Sequence, residues 1–103
     1  MPLLPSIEQQ IESDKNVLHV KILSPRQELF HGNARAVSSI NSAGKFDILS
    51  EHGNFITLVE NKPIIIKLVN RQTQTFAFPL AVIYARKNIV TIFTDIQLET
   101  LTA

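Results

Sequence analysis

The chain has 103 residues, 45% of them hydrophobic and 18% charged, with 10 basic against 9 acidic side chains and no cysteine. That length suits one domain whose single core buries roughly 60 to 70% of the unfolded chain's surface, and it excludes an active site set between two domains. Near-balanced charge excludes binding of nucleic acid or an anionic membrane by bulk electrostatics, and the lack of cysteine excludes thiolate nucleophiles, thiolate zinc sites and disulfides.

No stretch approaches the roughly 18 to 20 continuous apolar residues of a membrane span, and the start lacks a basic region followed by an apolar signal segment. The expected address is the cytoplasm. Residues 1–16 read as an extension. Pro2 and Pro5 bracket an apolar start, and Ser6 with Gln9 three residues later offers a helix cap, followed by Ile11 four after Ile7. At most two helical turns fit there, and such a piece is marginal in isolation.

From Val17 the period becomes two: Leu18, Val20 and Ile22 alternate with His19, Lys21 and Leu23 until Ser24-Pro25 stops the run. A second strand is expected at Glu28 to Phe30, a turn at His31-Gly32-Asn33, and a third strand at Ala34 to Ile40. Asn41 to Gly44 is a loop by composition, Phe46 to Leu49 a short strand, and Ser50 to Asn54 another turn. Further on, Ile56 to Val59 and Ile64 to Val69 flank Glu60 to Pro63, and the branched residues of the second run suit a pleated surface. Asn70-Arg71 is expected to turn the chain into Gln72 to Phe78, since Asn tolerates positive φ. Ala81 to Ala85 and Ile89 to Phe93 form a last hairpin around Arg86-Lys87-Asn88.

Eight to ten short strands at this spacing predict an all-β fold, an antiparallel β-sandwich or barrel over residues 17–95 with a tail at 96–103. There is no internal repeat.

Chemistry finds little support in the residues. Gly32, Gly44 and Gly53 are too far apart for a phosphate loop, and no G-x-S-x-G elbow occurs, so Ser38, Ser39 and Ser42 read as strand and loop residues. Asp47 and Glu51 are close enough in sequence to act as paired carboxylates, yet both adjoin turns where water keeps carboxylates ordinary. His19, His31 and His52 lack a metal-ligand spacing; they read instead as an exposed strand residue and two turn residues. The six phenylalanines and Tyr84 fall mostly in apolar strands, which favours core packing over base stacking. The expectation is therefore no catalytic residue, no cofactor and no metal.

The stretch Gly44-Lys45-Phe46-Asp47-Ile48-Leu49-Ser50-Glu51-His52, with Thr57-Leu58 after it, resembles the G-E-F-G-I-L-P-G-H-A-P-L-L-T-x-L signature of the F-type ATP synthase epsilon subunit. Upstream, Leu18 to Pro25 and Leu29-Phe30-His31-Gly32 resemble that family's first strand, its turn and its F-x-G step. Downstream, Phe76-Ala77-Phe78 and Asn88 to Asp95 resemble its closing strands. The likeness runs in order from 17 to 95. Asp47 stands where the family has Gly, Ser50-Glu51 where it has Pro-Gly, Asn54 where it has Pro, and Leu80-Ala81 where it has Gly-Gly.

The resemblance implies a β-sandwich of about ten strands that docks on the gamma subunit and the c-subunit ring and catalyses nothing itself. It implies that Asn41, Ser42, Ala43, Gly44, Lys45, Ser50, Glu51 and His52 lie near the c ring, and that the negative charges of Asp47 and Glu51 mark a changed partner surface. No segment matching the family's C-terminal helical hairpin follows, so inhibition of hydrolysis and ATP binding are not expected. Peripheral attachment at the cytoplasmic face of a bacterial inner membrane, or the equivalent side of an organelle membrane, goes with this role. A stand-alone adaptor that kept the sandwich is the alternative.

Overall fold

The computed structural model describes residues 16–95; the expectations for residues 1–15 and for the tail after Asp95 lie outside them. Eight strands are present among the described residues: β1 (Leu18–Leu23), β2 (Glu28–Asn41), β3 (Gly44–Leu49), β4 (Phe55–Val59), β5 (Pro63–Leu68), β6 (Thr73–Ala77), β7 (Ala81–Arg86) and β8 (Ile89–Thr94). Their hydrogen-bonded order is β4-β7-β8-β1-β2-β5-β6, with β3 also paired to β2. These neighbours are antiparallel except β1 and β8, which run parallel from His19 beside Ile89 to Leu23 beside Phe93.

The long strand β2 makes two layers of one curled sheet. Its first half pairs with β1, Leu18 facing Ala34 and Ile22 facing Phe30. Its second half pairs with β3 on one edge and β5 on the other. Between the halves the register shifts at Ala34 to Ala36, a bulge that bends the strand and changes which parity points inward. Ala34 and Val37 are both fully buried as a result. One layer is thus β4-β7-β8-β1 with the start of β2; the other is β3, the end of β2, β5 and β6.

Alternation then builds the core. Leu18, Val20 and Ile22 of β1, Ile83 of β7, and Val90 and Ile92 of β8 face Val37, Ile48, Ile64 and Ile66 across the sandwich, all essentially without solvent contact. Phe30, Phe46, Phe55, Phe76 and Phe78 close its rim. Two polar side chains buried among the described residues are satisfied: Ser39 Oγ donates to Pro63 O at 2.8 Å and Thr94 Oγ1 to Leu23 O at 3.4 Å, as burial of hydroxyls requires. Where β1 meets β2, Ser24 Oγ accepts from the amides of Arg26 and Gln27, at 3.3 and 3.2 Å, and so fixes the turn.

The expected turn at His31-Gly32-Asn33 is instead the middle of β2, which joins two expected strands into one and leaves eight among the described residues. Gly32 faces Val20, and a side chain there would meet the Phe30 ring at 3.0 Å; the glycine makes room for an aromatic ring. His31 is accordingly a strand residue opposite Lys21, with Nδ1 3.6 Å from Glu28. Asn33 Oδ1 is hydrogen-bonded to His19 Nδ1 at 2.9 Å across the strands. The β5–β6 turn is where expected, but Arg71 rather than Asn70 carries the positive φ, 73°. Asn70 serves through its side chain, whose Oδ1 accepts from the Gln72 amide at 3.0 Å.

Candidate functional site

The eight residues singled out by the signature fall in two turns at opposite ends of β3. Asn41 pairs with Gly44 at one end and Ala36 with Leu49 at the other, so the turns are separated by the length of a six-residue strand, roughly 17 Å at about 3.3 Å per residue. Both border the same side of the sandwich, where β3, the edge of one layer, approaches β4, the edge of the other.

The first turn is a hairpin closed by Ser42 and Ala43. Asn41 Oδ1 accepts from the Ala43 amide at 2.9 Å and its Nδ2 donates to Thr57 Oγ1 at 2.9 Å, so one side chain both shapes the turn and ties it to β4. Gly44 takes φ 122°, a conformation that an L residue rarely tolerates. Ser42, Ala43 and Lys45 are exposed.

The second turn is held by the His52 amide donating to Leu49 O at 3.1 Å, with Ser50 and Glu51 in the middle. Glu51 has φ 61°. A positive φ at the third position belongs to turns of type II, which favour Pro then Gly at the central positions. The departure to Ser50-Glu51 therefore keeps the backbone path while placing a carboxylate in a region that costs about 1 to 2 kcal/mol for a residue with a Cβ. Asn88 Oδ1 accepts from the Glu51 amide, and Asn88 O accepts from the His19 amide at 2.8 Å. Through these bonds Asn88, at the tip of the β7–β8 hairpin, joins the second turn to the opening of β1. Lys87 and Asn88 both have positive φ, 51° and 66°, as a two-residue hairpin loop with the twist of its strands requires. From the sequence this tip reads only as a hairpin; its asparagine is the available signal, since Asn both tolerates positive φ and offers a side-chain carbonyl.

The side chains that had suggested chemistry do not converge. Asp47 accepts from Ser38 Oγ across β2 and β3. The His52 ring lies 5.6 Å from Phe55, which itself contacts Phe46 at 5.3 Å, and His52 Nδ1 is 3.0 Å from Gly53 O. Among the described residues no group of three or more His, Asp or Glu side chains is placed to hold a metal ion, and no helix is long and apolar enough to cross a membrane.

A second feature is one that the sequence pattern did not single out. On the outer face of β4-β7-β8-β1, Ile56 (67% exposed), Leu58 (55%), Tyr84, Ile89 (52%) and Phe93 stand in solvent. The register joins them into one surface: Ile56 lies beside Tyr84, Leu58 beside Val82, and Val82 beside Phe93. Tyr84 and Phe93 thus correct the expectation of core packing. The signal is present in the chain, because F-I-T-L-V and I-V-T-I-F are apolar at both parities, whereas a strand with one solvated face alternates. The opposite outer face carries the exposed side chains of Lys45, Asp47, Lys67, Thr73 and Thr75 and is more polar, with Leu49 as a large exposed apolar side chain.

Residues 17–99 match the family described as the β-sandwich domain of the ATP synthase delta/epsilon chain. Among curated proteins, the ATP synthase epsilon chain of Xylella fastidiosa is 29% identical over 80 residues, covering 78% of this chain and 57% of the relative. That of Xanthomonas euvesicatoria pv. vesicatoria is 25% identical over the same shares. The chain therefore spans a little over half the length of these relatives. Among solved structures, a chain of the Euglena gracilis mitochondrial ATP synthase OSCP/F1/c-ring assembly superposes with a TM-score of 0.70 at 10% identity, covering 85% of this chain and 60% of that one. A chain of the Tetrahymena thermophila mitochondrial ATP synthase central stalk/c-ring gives 0.61 at 13% identity, over 75% and 62%. At these identities the likeness is one of fold.

Proposed function

Because this chain belongs to the ATP synthase delta/epsilon chain β-sandwich family, we propose that it is a non-catalytic epsilon-type subunit of the central stalk of an F-type ATP synthase. It docks on gamma and on the c ring, and helps carry torque from ion-driven ring rotation to the catalytic head. The complex holds it peripherally at the cytoplasmic face of a bacterial inner membrane or the equivalent side of an organelle membrane.

The observation that carries this reading is the apolar outer face of β4-β7-β8-β1. An exposed, contiguous apolar surface is a mark of contact with a partner. We assign that face to gamma, since a torque-bearing contact must bury on the order of 1,200 to 2,000 Å² to persist under load. The turns Asn41 to Lys45 and Ser50 to His52 are assigned to the c ring. A rigid sandwich with its turns pinned by Asn41 and Asn88 suits contacts whose geometry must survive rotation.

Affinity purification of the tagged chain from detergent-solubilised host membranes tests the proposal. Gamma, alpha, beta and c subunits in complex-like ratios are expected. Recovery of the chain alone, with the host's ATP synthase intact around another epsilon, would overturn the stalk role and leave the adaptor reading.

A further inference from the structure

The apolar face ends in an open groove of about 390 Å³ at the β7–β8 hairpin, lined by Tyr84, Arg86, Lys87, Ile89 and Thr91. Its composition is that of an anion site with apolar walls. Arg86 and Lys87 supply the charge, Tyr84 and Thr91 offer hydroxyls, and Tyr84 and Ile89 continue the apolar surface formed by Ile56, Leu58, Val82 and Phe93. Lys21 of β1 is exposed beside Thr91, which adds a third cation at this part of the face.

We propose that this groove receives the carboxylate of an Asp or Glu at one end of the apolar segment by which a protein partner covers the β4-β7-β8-β1 face. The proposal rests on the docking reading above and adds polarity to it: the partner segment is apolar along most of its length and acidic where it reaches the hairpin.

Charge favours this occupant. The guanidinium of Arg86 pairs two N–H groups with two carboxylate oxygens. Glu51, whose backbone is tied to Asn88, brings a carboxylate to the same end of the sandwich, against the three cations Lys21, Arg86 and Lys87, so positive charge predominates there. At the other end of the same strands stand Glu60, directly after β4, and Asp95, directly after β8. Glu28 lies beside Leu23 at that end, with Arg26 and Lys62 among them. A polyanion spread over the face would meet those carboxylates and leave the apolar side chains uncompensated, and an anionic bilayer would meet the same carboxylates. A segment with one acidic end avoids both.

The test measures binding of the full chain to the recombinant gamma subunit of the same host, by biolayer interferometry across a salt series. An Arg86→Glu/Lys87→Glu variant is compared with Lys67→Glu/Arg71→Glu, exposed at the β5–β6 end of the polar face, and with Ile56→Asn/Leu58→Asn on the apolar one. Circular dichroism establishes that each is folded. The groove variant is expected to bind about tenfold more weakly and to lose most of its salt dependence, as removal of a steering and pairing charge does, with the polar-face variant unchanged. Full affinity in the groove variant alongside loss in the apolar variant would overturn the carboxylate contact and leave the docking face standing. Full affinity in both, or no binding by the native chain, would overturn the docking reading and with it the proposal. Sedimentation with phosphatidylglycerol vesicles that depends on Arg86 and Lys87 but is indifferent to Ile56 and Leu58 would also overturn it, in favour of a lipid headgroup.

Discussion

Glu51 shows how much a single backbone angle records. It occupies φ 61° at a turn position suited to glycine, and strain at an exposed turn persists only where the surroundings hold it. Here the holding groups are Leu49 O, which receives the His52 amide, and Asn88 Oδ1, which receives the amide of Glu51 itself. Glu51→Gly should therefore stabilise the fold by about 0.5 to 1 kcal/mol, the relief of left-handed strain less the entropy that glycine adds to the unfolded chain. A thermal melt reads this as a rise of a few degrees. A fall would mean that the glutamate side chain contributes more than its backbone costs. Asn88→Ala removes the acceptor and places an unsuited residue at φ 66°; it should cost about 1 to 3 kcal/mol and speed hydrogen exchange at the Glu51 amide. Asn88→Asp keeps both the acceptor and the tolerance for positive φ, so that amide should stay protected.

At the scale of elements, the strands divide into those whose solvated face is mainly polar and those whose solvated face is mainly apolar. β1 alternates cleanly and was legible from Leu18, Val20 and Ile22. β8 is apolar on both sides, with Val90, Ile92 and Thr94 buried and Ile89 and Phe93 exposed. Ile92→Ala should destabilise by about 2 to 5 kcal/mol, because the side chain is fully buried and the hole left behind is closed only in part. Urea unfolding measures it, and a neutral result would mean that the strand's facing is misassigned. β2 is where sequence reasoning fell short. His31-Gly32-Asn33 has the composition of a turn, yet every one of the three is used across the strands. His31 stands opposite Lys21, Gly32 stands opposite Val20 and leaves space for the Phe30 ring of its own strand, and Asn33 is bonded to His19. The pairings with Lys21, Val20 and His19 exist only once β1 lies alongside, so no local rule reveals them.

For the whole molecule, the all-β class and the order of most strands were legible because turn residues punctuate apolar runs throughout the chain. The layering was not, since it depends on one bulge that lets β2 serve both layers. The candidate site was legible in part. The signature led to the two turns bordering β3, whose separation by a strand length comes from pairing alone. The apolar outer face escaped because a residue in an apolar run is assigned inward until a partner strand fixes its parity. Once parity is known, the excess of apolar residues over core positions becomes a surface, and that surface is the molecule's main evidence for a partner.

The parallel pairing of β1 with β8 sets an order of events in time. β1 emerges first among these strands during synthesis, and its neighbour on that side is β8, the last of them. Until β8 arrives, β1 presents an open edge and Leu18, Val20 and Ile22 lack part of their cover. Closing so long a loop comes before the contacts that reward it, which makes such topologies slow to fold, in milliseconds to seconds, and sticky while they wait. The same pairing that unites β1 and β8 in the finished protein thus makes the nascent chain dependent on its own completion, and a ribosome that stalls before Ile89 releases a fragment with an unpaired edge.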